Sequence, residues 1–527
     1  MREADDAQNP TLGYPLIHAF RFRLVSLSIE AILRESTIYG RRGRLSKMAN
    51  GLGWGGAYGT TIDRIMALDG DRSRLGMEAL MWISHAERPL RVDELCHALA
   101  VKLSSKDFNA SNAPSISTLV ACCQGLITVD GETSTVRLVH FTLREYLLAR
   151  SDLFKEPHSA MAEICLTYLN SGHLNALAAK PYFVSREEPF LDYSSRYWGV
   201  HAKMETSDSI KSLALKIFRG YDNHISAGCL LAQVDTPDHW SSRARSCTRF
   251  GGLHCASFFG IVEFVIPLTE MELEHCYING KDIWGCTPLA WAARNGHEKS
   301  VRILLRQKDI EPKVADNGGR TPLAYAAQGG SEEVVKILLG RTEFKPDELD
   351  HEMRTPLSYA AQYGHEGVVK ILLARRDVNP NQPCNYGRTP LLYAAMCGYP
   401  GVVKMLLARQ EVNPDRLDNH GRTPLSHAAE NRYLGASEIV KILREKEGVN
   451  PNIPDNDGRT PLSYAVENRY RDASEIVTIL LGLKEVNPDI PDNDGRTPLS
   501  YAVEGGHRHI SERVVKILLE RGGGQSR

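Results

Sequence analysis

The sequence lacks the long apolar runs, the paired cysteines and the charge excess that would each assign it to a functional class. No stretch of its 527 residues reaches the roughly 18 to 20 consecutive apolar residues of a membrane helix. The first residues, Met1–Asn9, are acidic and polar, unlike a secretory signal. The 63 basic and 64 acidic side chains nearly cancel, so overall charge does not direct the chain to nucleic acid or to an anionic membrane. We therefore expect an intracellular protein, in the nucleus or the cytoplasm, without a membrane partner.

Motifs for catalysis, metals and cofactors are missing as well. The 11 cysteines are scattered and never spaced Cys-x-x-Cys, which favours reduced thiols over a disulfide or zinc framework. No Gly-Lys-Ser/Thr phosphate loop occurs, and Gly51–Gly56 matches Gly-x-Gly-x-x-Gly only by letter, because no apolar strand precedes it. The Gly-His pairs lack the His-Glu-x-x-His spacing and are typical of turns; they lie at Gly296, Gly364 and Gly506. We predict no enzyme activity, no cofactor and no metal.

What the sequence does contain is a repeat. Thr-Pro-Leu recurs at spacings of 34, 34, 34, 34, 37 and 37 residues, beginning at Thr287, Thr321, Thr355, Thr389, Thr423, Thr460 and Thr497. Each copy continues as x-aromatic-Ala-Ala or a close variant, then a polar turn, then a run such as Val-Val-Lys-Ile-Leu-Leu. This order predicts two short helices, the first capped by threonine and begun by proline. Serine is predicted to cap the second helix at Ser331, Ser437, Ser474 and Ser511.

These units resemble ankyrin repeats, notably in the Gly-Arg-Thr-Pro strings such as Gly319–Pro322. A degenerate copy, Gly252–Ser257, precedes them, so the resemblance predicts about eight repeats over residues 249–523. Such units bury their apolar faces only against one another. The stack is therefore expected to present a long concave surface to a protein partner.

A second resemblance lies before the repeats. The helix Val92–Ala100, the segment Ser115–Gly125, the two short strands around Asp130–Glu132 and the helix Phe141–Arg150 follow one another in the order of a winged helix. This stretch is similar to the winged helix of fungal NACHT-type signalling ATPases, whose C-terminal halves often carry ankyrin arrays. We predict a mainly α protein: a helical, partly disordered remnant over 1–70, a winged-helix-like domain over 71–150, a helical connector over 151–248, and the ankyrin solenoid.

A winged helix suggests DNA binding, but its candidate reading helix, Ser115–Gln124, carries no Lys or Arg. Direct DNA binding is therefore not expected. His140 matches the histidine that contacts bound ADP in the related ATPases, yet Phe141 stands where plant relatives have an acid. A buried, hydrogen-bonded histidine is the favoured interpretation.

Partner recognition has better candidates, because repeat proteins keep framework positions fixed and vary the exposed ones. The positions after the Ala-Ala pair drift from basic or neutral to acidic, and we predict that partner-binding residues include Arg294, Gln328, Gln362, Tyr363, Met396, Glu430, Glu467 and Glu504.

The last repeats add further candidates. The turns Asp455–Asp457 and Asp492–Asp494 predict an acidic C-terminal half of the groove that suits a basic segment, although Asp and Asn also simply favour turns. Longer turns between the helices carry Tyr433 and Tyr470, which predict a second contact ridge or record a duplication.

We therefore expect a non-enzymatic adaptor with a regulatory role, plausibly a transcription coregulator that acts through a protein partner. The alternative is the sensor half of a split or truncated NACHT-type signalling ATPase. The basic stretch Arg41–Lys47 allows nuclear import, although a solvated loop is the favoured interpretation.

Overall fold

The computed structural model describes residues 54–103, 107–177, 188–232, 249–270, 278–431, 433, 435–468, 473–504, 514–516 and 518–519. The chain divides into two units, residues 1–252 and 253–527. Both units are mainly helical, which confirms the predicted fold class. The stretch Arg41–Lys47 and residues 51–53 of the glycine string lie outside the described residues, while Gly56 lies within the first helix.

The first unit combines helices with one short sheet. Its elements are α1 (Trp54–Met66), α2 (Gly70–His85), β1 (Leu90–Arg91), α3 (Val92–Ala100), α4 (Ile116–Cys122), β2 (Ile127–Val129), β3 (Thr135–Leu138), α5 (Phe141–Ala149), α6 (Pro157–Leu169), α7 (Gly172–Asn175), α8 (Pro189–Met204), α9 (Asp208–Phe218) and α10 (Ile225–Leu231), with 3-10 turns at Ala110–Asn112 and Tyr221–Asn223.

The sheet has the antiparallel order β1-β3-β2. Val136, on the central strand, pairs with Leu90 on one side and Val129 on the other, and its side chain is buried. Ser115 caps α4 by accepting a 3.2 Å hydrogen bond from the Thr118 N–H. The predicted winged-helix order of elements is therefore present.

Two helices of the predicted connector begin at start signals that lie before their main apolar residues. Helix α6 begins at Pro157, because proline at the first position needs no N–H partner. Helix α9 begins at Asp208, where Ser207 accepts a 3.2 Å bond from the Ile210 N–H. Capping residues, not apolar periodicity, place both starts.

A buried ion pair joins the winged helix to the connector. Arg88 donates hydrogen bonds to Glu94 at 2.8 Å and to Asp192, on α8, at 3.0 Å. Glu94 is fully buried and also accepts the Arg91 N–H at 2.8 Å. Burial of a carboxylate is tolerable here because the charge is paired and hydrogen-bonded.

The second unit is a stack of helix pairs. Its helices are α11 (Gly252–Phe259), which starts at the unit boundary, α12 (Val262–Glu270), α13 (Pro288–Arg294), α14 (Glu298–Leu304), α15 (Pro322–Gly329), α16 (Glu332–Leu339), α17 (Pro356–Gln362), α18 (Glu366–Leu373), α19 (Pro390–Cys397), α20 (Pro400–Leu407), α21 (Pro424–Glu430), α22 (Ala436–Glu445), α23 (Pro461–Glu467), α24 (Ala473–Leu481) and α25 (Pro498–Glu504).

The first helix of each pair, here called the inner helix, starts as predicted. The threonine hydroxyl accepts a hydrogen bond of 3.1–3.5 Å from the N–H three residues later in all seven copies. Each inner helix packs on the next, from α13 to α25, and alanines such as Ala326 and Ala327 are fully buried between them. Small side chains therefore allow the close stacking that the sequence predicts.

The predicted serine caps of the second helices hold in only one described case. Ser331 caps α16 by accepting from the Val334 N–H at 3.5 Å. Ser437 and Ser474 are not caps, because α22 and α24 begin one residue earlier, at Ala436 and Ala473. Both alanines are buried, so packing of the alanine extends the helix past the serine. Ser511 lies outside the described residues.

A five-residue turn, here called a finger, precedes each threonine cap. Fingers 1 to 7 begin at Asp282, Asp316, Asp350, Cys384, Asp418, Asp455 and Asp492. In every finger the N–H of the first residue donates to the carbonyl of the fifth at 2.9–3.1 Å. The N–H of the second residue donates to the third residue of the preceding finger at 2.8–3.0 Å, so that one hydrogen-bond ladder links all seven fingers.

Candidate partner-binding surface

The aromatic side chain of each inner helix anchors its finger. Trp291, Tyr325, Tyr359 and His427 each hydrogen-bond the aspartate that opens their own finger, nine residues earlier, at 2.6–2.9 Å. The same pairs form at Tyr464 with Asp455 and at Tyr501 with Asp492, and Tyr393 bonds the Cys384 sulfur at 3.3 Å. These bonds were not predicted from the sequence, although the constant nine-residue spacing was the available signal.

The first carboxyl group of this series differs from the others in its electrostatics. Finger 1 ends in Cys286, where finger 2 has Arg320, whose guanidinium lies 2.8 Å from Asp316. Burial without such a cation raises the pKa of Asp282 to about 7, although hydrogen bonds from Trp291 and two turn N–H groups oppose the rise.

Asp418 shows the opposite shift. Burial acts to raise its pKa, but the hydrogen bond from His427 and those from turn N–H groups outweigh burial and lower it to about 2. The two carboxyl groups occupy the same position in their repeats, so their neighbours alone set the difference.

The predicted partner-binding residues form a row at the C-terminal ends of the inner helices. We call this the helix-end row: Arg294, Gln328, Gln362, Met396, Glu430 and Glu467. The first four are half-buried and the two glutamates are exposed. Glu504 ends α25, with no description of its side chain, and Tyr470 lies outside the described residues.

Neighbouring repeats bring some of these side chains into contact. The Gln328 amide donates a 3.0 Å hydrogen bond to the hydroxyl of Tyr363, whose side chain is 43% exposed. The Arg294 guanidinium lies 5.7 Å from the Trp291 ring centroid and 6.0 Å from that of Tyr325, a cation–π arrangement. The helix-end row is thus held in place before any partner binds.

The acidic end of the row is partly neutralised by arginines of the same repeats. Glu430 pairs with Arg422 at 2.6 Å and Glu467 with Arg459 at 3.0 Å. The two carboxylates are still 50% and 47% exposed. They carry accessible charge, but less than the bare residue count suggests.

The prediction that Asp455 and Asp492 add acidity to the groove is wrong. Both are buried, because each bonds the tyrosine of its own inner helix and the N–H groups of its own turn. Turn chemistry, the alternative interpretation, accounts for these two aspartates. Asp457 and Asp494, two residues later in each finger, are exposed.

The lengthened turns contain a buried asparagine that bonds the preceding repeat. Asn431 is buried, and its amide donates to the carbonyls of Ala395 and Met396 at 2.9 and 3.0 Å. Asn468 makes the same kind of bond to Ala429 at 3.0 Å. Tyr433, two residues after Asn431, is 48% exposed.

In two of the shorter turns a histidine makes the bond to the preceding repeat. His297 bonds the carbonyl of Phe258 at 2.8 Å, and His365 bonds that of Gln328 at 2.8 Å. The interpretation of these two Gly-His pairs as turn chemistry is therefore confirmed, while the third pair, at Gly506, lies outside the described residues. The part of the chain that the structure describes contains no group of three or more metal-ligating side chains.

His140, in the winged helix, is less buried than predicted. It is hydrogen-bonded but only half-buried, because it caps α5: its Nδ1 accepts from the Thr142 N–H at 3.3 Å and bonds the Thr142 hydroxyl at 2.8 Å. Phe141 beside it is 67% exposed.

No helix among the described residues is long and apolar enough to cross a membrane.

Comparison with known proteins agrees with this architecture. Residues 253–483 match the family model of ankyrin repeats in four overlapping segments, and residues 494–525 match a single ankyrin repeat. Residues 64–157 match the winged helix domain of GPI inositol-deacylase. These matches do not confirm the resemblance to NACHT-type ATPases. No curated protein matches the chain.

Two solved structures are similar to part of the chain. The ankyrin repeat protein EF0377 is 28% identical over 38% of this chain and 96% of its own, with a TM-score of 0.34. The ankyrin repeat domain of Bcl-3, described as a unique member of the IkappaB protein family, is 26% identical over 44% of this chain and 98% of its own, with a TM-score of 0.37.

Proposed function

We propose that this chain, a protein–protein interaction adaptor by virtue of its ankyrin repeats, regulates one protein partner that it holds along the helix-end row. The observation that carries the proposal is that each repeat combines constant framework positions with a variable position at the end of its inner helix. Threonine caps and finger-to-aromatic bonds recur in all seven Thr-Pro copies, while the side chain at the end of the inner helix varies among Arg, Gln, Met and Glu. A constant framework with variable exposed positions is how repeat proteins build a specific binding surface.

The charge of the row supports a partner segment that carries basic side chains. Glu430 and Glu467 remain about half exposed although each pairs with an arginine. Exposed pairs of this kind are weak, roughly 0.2–1 kcal/mol, so a lysine or arginine of the partner can compete for the carboxylate. Complementary charge of this kind contributes to orientation and specificity more than to affinity.

A role as a transcription coregulator is a further part of the proposal. It requires the partner to make the DNA contacts, because α4, the reading helix of the winged helix, has no Lys or Arg that could pair with phosphates or guanine. The regulatory target is then a DNA-bound protein and not the DNA itself.

The test is affinity capture from extracts of the source cells, with the full chain as bait. A triple variant E430Q/E467Q/E504Q removes the acidic charge without changing side-chain size, and we expect it to lose the partner while keeping its melting temperature. The matched control is E438Q/E445Q/E447Q, which removes three acidic groups at exposed positions on α22 and just after it. Equal capture by both variants would overturn the assignment of the helix-end row.

The alternative, a sensor half of a signalling ATPase, is favoured by one observation. His140 and the strongly exposed Phe141 lie at the start of α5, at the position that the resemblance to NACHT-type ATPases assigns to contact with bound ADP. The coding sequence immediately upstream decides between the two. An in-frame Gly-Lys-Ser/Thr loop there supports the ATPase, and its absence supports the adaptor.

A further inference from the structure

Four exposed apolar side chains of the second unit lie on or immediately before three adjacent fingers. Leu349, immediately before finger 3, and Met353 within it are each 40% exposed; Tyr386 in finger 4 is 48% exposed and Leu417, immediately before finger 5, is 42% exposed. We call these four residues the finger patch. A cluster of exposed apolar side chains on one rigid strip is typical of an interaction site, whereas single ones are ordinary.

Met353 has a positive φ, a backbone conformation that glycine adopts at the equivalent position of the other fingers. Its φ is +62°, and the equivalent residue in each of the other six fingers is a glycine with φ between +76° and +82°. In fingers 4 to 6 a side chain at this glycine would press within 2.5–2.7 Å of an asparagine of the next finger. A bulky residue with positive φ is rare and strained, so the fold accepts strain at the one finger where this position presents an apolar side chain.

The hydrogen-bond ladder makes the patch part of an ordered strip. Asn385 of finger 4 donates its N–H to Glu352 of finger 3 at 2.9 Å, and Asn419 of finger 5 donates to Tyr386 at 3.0 Å. The side-chain amides of the same asparagines donate to His351 at 3.0 Å and to Asn385 at 2.8 Å. These bonds fix the backbone of the fingers before binding, which reduces the entropic cost of ordering it on binding.

Charge changes along the strip beyond the patch. The third residue is Glu352 in finger 3, Tyr386 in finger 4, His420 in finger 5, Asp457 in finger 6 and Asp494 in finger 7. Glu352 pairs with Arg354 at 3.2 Å, Asp457 and Asp494 are exposed, and Asp494 also pairs with Arg496 at 2.7 Å. The row of fingers therefore runs from mainly apolar exposed side chains at fingers 3 to 5 to exposed carboxylates at fingers 6 and 7.

We propose that fingers 3 to 5 bind large apolar side chains of a partner segment whose neighbouring residues on one side are Lys or Arg, which reach Asp457 and Asp494. This inference rests on the proposed adaptor function and specifies its partner. The finger patch lies at the N-terminal ends of the inner helices, one helix of seven residues, or roughly 10 Å, away from the helix-end row. A single partner segment with an apolar anchor and basic flank therefore fits the strip independently of that row.

The test selects a phage-displayed library of random peptides on the purified full chain. We expect enriched peptides to share at least two large apolar residues followed or preceded by Lys or Arg. The variant Y386S/L417S should weaken the enriched peptides about tenfold or more, as loss of buried anchors does. The control I266S changes an equally exposed apolar residue, 40% exposed on α12, and should leave peptide affinity unchanged. Enrichment of acidic or purely polar peptides, or equal affinity of the two variants, would overturn the inference.

The variant M353G gives a readout that a structural role cannot produce. Relief of the positive φ should raise the melting temperature by about 2 °C, while loss of the apolar side chain should weaken peptide binding severalfold. A gain in stability with unchanged binding contradicts a recognition role for Met353. If light scattering shows a dimer that Y386S/L417S dissociates, the occupant is a second copy of this chain and the peptide proposal fails.

Cellular partner capture by the two multiple variants distinguishes the helix-end-row proposal from the finger-patch proposal. If E430Q/E467Q/E504Q loses cellular partner capture while Y386S/L417S keeps it in full, the proposed adaptor function stands and the finger-patch proposal is refuted. The reverse result supports the finger patch and moves the contact away from the helix-end row.

Discussion

The phenol of Tyr359 donates a 2.6 Å hydrogen bond to the carboxylate of Asp350, nine residues earlier in the chain. Arg354 pairs with the same carboxylate at 3.0 Å, and its guanidinium lies 4.6 Å from the Tyr359 ring centroid. The three residues join the finger to the inner helix. The same arrangement, with local changes, recurs in the other repeats and explains why the fingers keep a constant geometry beneath variable tips.

Removal of the phenol should destabilise the solenoid. In Y359F the Asp350 carboxylate keeps Arg354 but loses one buried, charge-assisted hydrogen bond, so we expect the free energy of unfolding to fall by about 1–2 kcal/mol. Urea denaturation measures the change. Y386F serves as the control because Tyr386 is about half exposed, and it should stay within about 0.5 kcal/mol of the native chain. Equal losses would mean that the buried bond contributes nothing.

The two kinds of helix start should respond differently to alanine. T355A removes a true cap, whose hydroxyl accepts from the Ser358 N–H at 3.2 Å, and should cost about 1 kcal/mol. S474A changes a residue inside α24 and should be neutral or slightly stabilising, because alanine has the higher helix propensity. Thermal unfolding of both variants measures the difference. A loss on S474A as large as that on T355A would restore the original prediction that Ser474 is a cap.

The buried asparagine of the lengthened turn should matter more than its exposed neighbours. N431A leaves the carbonyls of Ala395 and Met396 without the amide that now bonds them, and we expect a loss of about 1–3 kcal/mol in chemical denaturation. Q410A, at an exposed position of the preceding repeat, is the control and should change stability by less than about 0.5 kcal/mol. A neutral N431A would show that water replaces the side chain there.

The carboxyl groups of Asp282 and Asp418 should give opposite dependences of stability on pH. The pKa of Asp282 is raised from 3.8 to about 7, so its contribution is fully present below about pH 4 and is lost as the pH rises to 7. The pKa of Asp418 is lowered to about 2, so its contribution is present above about pH 4 and is lost as the pH falls towards 2.

Denaturation curves across this range, for the native chain and for D282N and D418N, measure both effects. D282N should abolish the decline in the free energy of unfolding between pH 4 and 7, even if the substitution also changes stability by the same amount at every pH. D418N should remove part of the decline below pH 4. An unchanged pH profile in D282N would mean that its carboxyl group titrates alike in the folded and unfolded chain.

The sequence by itself determined the repeat, because stacked units need the same cap, the same small residues and the same apolar face at every step, and this need appears as a period of 34 or 37 residues. The order of the winged-helix elements and the threonine caps followed from local chemistry in the same way. The positions of Gln328 and Glu430 at the ends of inner helices followed directly from the period.

Only the tertiary structure decided which side chains of a turn face the interior. Asp455 and Asp457 are two residues apart and chemically alike, yet one is buried against Tyr464 and the other is exposed. Likewise Asn431 is buried and Tyr433 exposed. Asp455 is buried by its own inner helix and Asn431 by the preceding repeat. A local pattern contains neither the packing of a turn on its helix nor the distance and orientation of the adjacent repeat, so the buried and the exposed residues of these turns are distinguished only in the folded solenoid.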